Sequence, residues 1–202
     1  MTELAGHRRT LRVALLGAGS VGSQVARLLL EHQADLAERS GATLELAGIL
    51  VRDVDAPRDA ELPRELLTTD ADALIVGADI VIELMGGIEP ARGYVLQALQ
   101  SGADVVTGNK ALLATHGAEI FEAADQVGAS VSSEAAVAAA IPIIRPLRDS
   151  LAGDRIERIF GIVNGSTNFI LDSMDRQGLS AEEAQRIATA IEAAMTALTR
   201  SS

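Results

Sequence analysis

Cysteine and tryptophan are absent from this 202-residue chain, lysine occurs once, and aromatic residues make up only 2% of it. Without cysteine there is no disulfide framework, no thiol nucleophile and no cysteine-type zinc site. With so few aromatics the core must be built from Ala, Val, Leu and Ile, within a hydrophobic content of 48%. A formal net charge of −11 argues against a nucleic-acid partner, which needs clustered positive charge to meet phosphates. No apolar run reaches membrane-spanning length, and residues 1–10 lack the apolar stretch of a signal peptide. The chain therefore reads as a soluble, cytoplasmic protein without a membrane partner, long enough for one full domain and part of a second.

The scarcity of lysine makes its one occurrence informative. Lys110 ends the run Asp104-Val-Val-Thr-Gly-Asn-Lys110, directly after an expected strand, while the other sixteen basic residues are arginines. Arginine is always charged, bulky and planar, whereas an ammonium is a compact point charge whose pKa can be tuned. A chain that uses arginine for ordinary charge and keeps one lysine here points to chemistry or cofactor contact at that position. The alternative is a lysine that survives on a loop by chance.

Along the chain, Leu11–Leu16 is a short apolar strand followed at once by Gly-Ala-Gly-Ser-Val-Gly. A helical stripe then runs from Val21 to Arg39 through Val25, Leu28, Leu29 and Leu36. Strands are expected at Thr43–Val51, Ile80–Leu84, Val105–Thr107 and Ala129–Ser133, with helices at Ala91–Gln100 and Ala118–Val127. Pro57 and Pro63 mark a surface segment, and Pro90 suits a helix start. Alternating strands and helices predict an α/β fold: a Rossmann-type, doubly wound parallel sheet over residues 1–135. From residue 136 to 202 the beginning of a second, α+β domain is expected. It would hold a helix from Ile141-Pro142 to about Ser150, a strand at Arg158–Val163, a polar loop at Asn164–Asn168, and a last helix. Ser180 and Glu183 have capping-box spacing ahead of that helix, whose stripe of Ala184, Ile187, Ala188, Ile191, Met195 and Leu198 needs a partner.

Gly17, Gly19 and Gly22 satisfy G-x-G-x-x-G between a strand and a helix, the context that gives the pattern meaning. Gly17 allows the tight turn, Gly19 lets a pyrophosphate approach the backbone, and Gly22 lets helix and strand pack closely. The helix N-terminus then offers N–H groups and positive dipole to the anion. Dinucleotide binding follows, by NADP or NAD. At the end of the second strand Arg52 stands where an acidic residue would bind a ribose hydroxyl, with Asp53 beside it. An arginine there can pair with a 2′-phosphate, which favours NADP; the alternative is a solvated side chain.

Several stretches together resemble homoserine dehydrogenase. They are the glycine turn, Glu83-Leu-Met-Gly-Gly-Ile-Glu-Pro90, Val106-Thr-Gly-Asn-Lys-Ala-Leu112, Glu134-Ala-Ala-Val137 through Ile141-Pro142, and Gly161-Ile-Val-Asn-Gly-Ser-Thr-Asn-Phe-Ile-Leu171. They occur in family order over about residues 11–180. The resemblance implies reduction of aspartate semialdehyde to homoserine, in the biosynthesis of threonine and methionine, by a homodimer. It places Thr107 and Lys110 beside the nicotinamide and ribose, with Lys110, near the reacting carbonyl, as the candidate catalytic residue of this chain. The cofactor-binding set then comprises Gly17, Ala18, Gly19, Ser20, Val21, Gly22, Arg52, Gly86, Gly87, Thr107 and Lys110. Glu134, Val137, Ala139 and Ile141 match a segment that holds a monovalent cation, Na+, through backbone oxygens and a carboxylate. Oxygen ligands suit such a hard cation. Read alone, Glu134 is one carboxylate at a strand end, as readily structural as metal-binding. His7, His32 and His116 have no metal-ligand spacing.

The chain also departs from the resemblance. Ser132-Ser133 replace an expected aromatic pair, and Ala139 replaces a glycine. The family's Glu-Ala-Asp-Pro segment, its substrate-binding aspartate and its catalytic lysine, the main proton donor, do not follow Leu179. The expectation is a C-terminally shortened chain that keeps nucleotide binding and lacks much of the catalytic domain. Its rivals are a non-catalytic NAD(P)-binding or oligomerisation module, and a different small-carbonyl reductase using Lys110 alone.

Overall fold

In β1, Thr10–Leu16, alternation of side chains sends Val13 and Leu15 to one face of a sheet and Ala14 and Leu16 to the other. All four are buried, so both faces must be covered. The computed structural model describes residues 8–56, 61–137, 141–159 and 165–199. On one face Val13 and Leu15 pack with Ala26 and Leu29 of helix α1 (Ser20–Glu31) and with Leu46 and Ile49 of strand β2 (Thr43–Leu50). On the other, Ala14 and Leu16 join Val81 of β4 (Ile80–Glu83) and Val105 of β5 (Asp104–Thr107). Val95 and Leu99 of α4 (Ala91–Gln100) and Leu112 and Ile120 of α5 (Lys110–Val127) cover that face.

The six strands run parallel in the order β3-β2-β1-β4-β5-β6, with β3 at Leu67–Thr68 and β6 at Val131–Ser132. The order reverses direction between β1 and β4, the point where a doubly wound sheet opens a crevice at its carboxyl edge. The doubly wound Rossmann-type sheet expected from the sequence is thus present.

Several local expectations need correction. The expected helix from Val21 to Arg39 breaks at His32 into α1 and α2 (Gln33–Ser40). Strand β3 and helix α3 (Ala71–Ile75) follow the surface segment of Pro57 and Pro63 and were not expected; two and five residues are too short to show periodicity. Helix α5 starts at Lys110, well before the expected Ala118, because the Asn109 side chain caps it by accepting from Leu112 N at 3.1 Å. The expected helix from Ile141 shrinks to a π-helical turn at Pro146–Ser150. Arg158 and Ile159 have no regular structure, and the rest of that expected strand lies outside the described residues. Gly165–Asn168, expected as loop, is the first turn of α7 (Gly165–Gln177).

The chain divides into two compact units, residues 1–152 and 153–202. The first unit runs on past residue 135. One reason is that Glu134, opening the single turn α6 (Glu134–Val137), ties the following segment to the first unit. Its carboxylate accepts from the backbone N–H of Ile144 at 3.1 Å and of Arg145 at 2.8 Å. In the second unit α7 packs against α8 (Ala181–Thr199). The expected capping box forms, with Ser180 N donating to Glu183 at 3.0 Å and Glu183 N to the Ser180 hydroxyl at 3.3 Å. Ala184 and Ala188 are buried, while Ile187 and Ile191 stay about two-fifths exposed. The side chains of Met195 and Leu198 lie outside the described residues.

Candidate functional site

Where β1 ends, the chain turns sharply at Gly17, whose φ is +102°. A Cβ here would also sit 2.9 Å from the Leu84 carbonyl oxygen, so only glycine fits. At Gly22 a Cβ would come within 2.1 Å of the Gly17 carbonyl oxygen: the first turn of α1 packs directly on the glycine turn. Gly19 is different. A Cβ there would meet nothing within 4 Å, and as the N-cap of α1 it offers no side-chain acceptor to the helix's first N–H groups. No side chain caps those donors, the condition an anion site at a helix N-terminus requires.

A cleft of about 620 Å³ opens over this turn at the carboxyl ends of β1, β2 and β4. Gly17, Ala18, Gly19, Arg52 and Asp53 line it, together with Leu50, Leu84, Met85, Pro90 and Tyr94. Of the expected cofactor residues, the structure brings Gly17, Ala18, Gly19 and Arg52 into one cleft. Ser20 and Val21 are exposed on α1 away from its lining, and Gly22 is buried beneath the turn. Gly86 and Gly87 also lie outside the lining; both have positive φ, +73° and +74°, and form the bend between β4 and α4.

Thr107 is fully buried at the end of β5, and its hydroxyl is committed to the protein. It donates to Glu83 Oε2 at 2.6 Å and accepts from Asn109 N at 3.1 Å. Its side chain thus ties β5 to Glu83 and to the start of the next turn. Glu83, also fully buried, ends β4. Its Oε1 accepts from Met85 N at 2.8 Å, Gly86 N at 3.4 Å and Asn109 Nδ2 at 3.3 Å. Asn109 Nδ2 donates as well to the Gly87 carbonyl at 2.6 Å. Lys110 follows as the first, exposed residue of α5.

Around the expected cation segment, hydrogen bonds from the Arg145 and Ile144 backbone hold the Glu134 carboxyl below its ordinary pKa, against some desolvation. Val137 and Ile141 have exposed side chains, and Ala139 lies outside the described residues. Among the described residues no three His, Asp or Glu side chains gather as a metal site. A cation here would rest on backbone oxygens beside one carboxylate. No helix of the described residues is long and apolar enough to cross a membrane.

Sequence reading missed Met85, Pro90 and Tyr94 as cleft walls, because their position depends on how the loop after β4 folds back. It also missed the parts played by Glu83 and Asn109. A signal for both was present: a glutamate closing the apolar run Ile-Val-Ile, and an asparagine one position before an apolar helical stretch.

Residues 17–134 match the family described as homoserine dehydrogenase, NAD binding domain, and residues 142–196 match that described as homoserine dehydrogenase. The homoserine dehydrogenase of Corynebacterium glutamicum is 54% identical over 168 residues, covering 82% of this chain and 38% of that protein. That of Mycobacterium tuberculosis is 48% identical over 190 residues, covering 93% and 43%. The chain thus spans about two-fifths of the length of these relatives. A solved homoserine dehydrogenase from Thiobacillus denitrificans superposes with a TM-score of 0.74 at 38% identity, over 92% of this chain and 43% of that one. A hyperthermophilic archaeal homoserine dehydrogenase in complex with NADPH gives 0.67 at 27% identity, over 91% and 62%. With its strand order, its glycine turn and more than half its length matched by the family's NAD-binding domain, this chain belongs to the homoserine dehydrogenase family.

Proposed function

We propose that the chain binds NADP(H) in the cleft over Gly17–Gly19, as the nucleotide-binding part of an enzyme interconverting homoserine and aspartate semialdehyde. The observation that carries this reading is the uncapped N-terminus of α1 beneath an open glycine. The pyrophosphate would sit on those N–H groups. Arg52, on the same cleft wall, would pair with the 2′-phosphate and favour NADP over NAD. The nicotinamide held there would supply the hydride chemistry of the reaction. Lys110 would polarise the carbonyl oxygen and hold the proton that oxygen takes up. Gly86, Gly87 and Thr107 would act by shaping the turns around the cofactor.

Na+ would bind at Glu134 and the backbone oxygens of Val137, Ala139 and Ile141. Two N–H donors leave the Glu134 carboxylate further lone pairs for it. Residues 1–135 would form the cofactor domain and 136–202 the start of a domain that pairs two copies, in a reducing cytoplasm suited to a cysteine-free chain.

Calorimetry with NADP and NAD tests the reading. Heat with NADP, and a larger loss for NADP than for NAD in Arg52→Ala, are expected. No heat with either cofactor would overturn it, and an equal loss would remove Arg52 from the phosphate site.

A further inference from the structure

Three features outside the cofactor cleft offer chemistry: the Arg92–Glu119–Glu89 ion pairs on the α4–α5 surface, the shallow apolar groove on α8, and the buried carboxylate of Glu83. The first is an exposed pairing that holds two helices, and nothing identifies an occupant for the second. Glu83 goes further. It is completely buried, and all four of its hydrogen-bond donors are uncharged. Burying a carboxylate is costly unless donors compensate it, so its place calls for a reason.

The reason lies in what its two oxygens join. Oε1 holds the start of the loop that walls the cofactor cleft, through Met85 N and Gly86 N. Oε2 holds the end of β5 through the Thr107 hydroxyl. Asn109 closes the circuit by donating to Glu83 Oε1 and the Gly87 carbonyl while capping α5 through Leu112 N. The Glu83 backbone takes part too, its carbonyl accepting from Gly108 N at 3.1 Å. Lys110 begins the helix that Asn109 caps.

We infer that Glu83 is a positioning residue that fixes the cofactor-cleft wall at Met85 and the Lys110 end of α5 in one mutual arrangement. This deepens the proposed function and rests on its cofactor reading. A second tie at Asn109 makes the coupling two-sided: disturbing Glu83 moves both loops, not one.

The test compares wild type with Glu83→Ala and Glu83→Gln by three readings. These are NADPH affinity by fluorescence, amide hydrogen exchange at Met85 and Leu112, and the acylation rate of Lys110 by peptide mapping. With one lysine in the chain, the last reading is unambiguous. Glu83→Ala is expected to speed exchange at both amides, change the Lys110 rate, and weaken NADPH by at least about tenfold. Glu83→Gln keeps an acceptor for Met85 N and is expected to restore most of the affinity. Wild-type NADPH affinity and Lys110 reactivity in Glu83→Ala would overturn the inference, even with a lowered melting temperature, because a core role alone moves only stability. If Glu83→Ala fails to fold, the near-isosteric Thr107→Val deletes only the hydroxyl and must shift the same readings, or the inference falls. If wild type binds no NADPH, the cofactor reading fails by itself, while exchange and acylation still decide the coupling.

Discussion

Two turns on the carboxyl edge of the same sheet end in opposite ways. After β1, Gly19 caps α1 with no side chain and leaves its first N–H groups open beneath the cleft. After β5, Asn109 caps α5 with its own carbonyl oxygen, and its amide is tied to Glu83 and Gly87. Both are strand-to-helix turns, yet one has no side-chain cap and the other is capped by its own asparagine. An open turn can bind a diphosphate; a closed turn can hold a side chain, here Lys110, in a fixed place. Removing a tight glycine contact, closing the open turn, or asking the closed turn to do chemistry by itself each probes that division.

The largest expected effect concerns chemistry. This chain alone should show little or no oxidation of homoserine, even with cofactor bound. Fixing substrate against a nicotinamide can be worth roughly 7–11 kcal/mol of barrier. A lysine acting as general acid contributes only about 10²–10⁴-fold. Lys110 has no second lysine in the chain to assist it. NADPH formation from homoserine, measured at high protein concentration with Lys110→Arg as control, decides this. A rate of about 1 s⁻¹ or more would show that the closed turn suffices.

Next is Gly22→Ala, which forces a Cβ to within 2.1 Å of the Gly17 carbonyl oxygen. Overpacking against backbone should cost about 1–3 kcal/mol in urea denaturation, and NADP binding should fall with the turn it distorts. Smaller in stability is Gly19→Asn, which turns the open end into a copy of the closed one. Space is available, with nothing within 4 Å of the new Cβ. A gain of roughly a few tenths of a kcal/mol is expected from the new cap, together with weaker NADP binding as amides and cleft are filled. Weaker stability with unchanged affinity would break the comparison.

The smallest effect is at Glu134, which follows the closed pattern after β6 by accepting the Ile144 and Arg145 N–H groups. Its folded pKa lies below the ordinary 4.5, so its contribution to stability is present above that value and is lost as pH falls through the lower, folded one. Thermal melts from pH 6 down to 3 should show Glu134→Gln losing less stability than wild type across that acid window.

Much of the fold was legible because period and punctuation agreed. The helix at Ala91–Gln100 was read to the residue, and the strands around Val13 and Val81 are short apolar runs between glycines and helices. The glycine turn was legible down to separate roles for Gly17 and Gly22, which steric contacts bear out. Strand β3 and helix α3 escaped because elements this short have no period and form only by pairing with β2 and packing on the sheet. The early part of α5 escaped because a Gly-Asn-Lys sequence looks like loop until Asn109 is recognised as its cap. The bond from the Thr107 hydroxyl to Glu83 was not legible, because the two residues lie 24 positions apart on neighbouring strands.

By itself the sequence determined the layers of this protein, the turn that would take a phosphate and the place of its only lysine. These depend on local period, glycine sterics and residue identity, which act over a few positions. Tertiary structure alone decided which strands became neighbours, which residues walled the cleft, and that Glu83, Thr107 and Asn109 share one buried set of hydrogen bonds. Such choices follow from satisfying every buried polar group at once, and that requirement joins residues far apart in the chain.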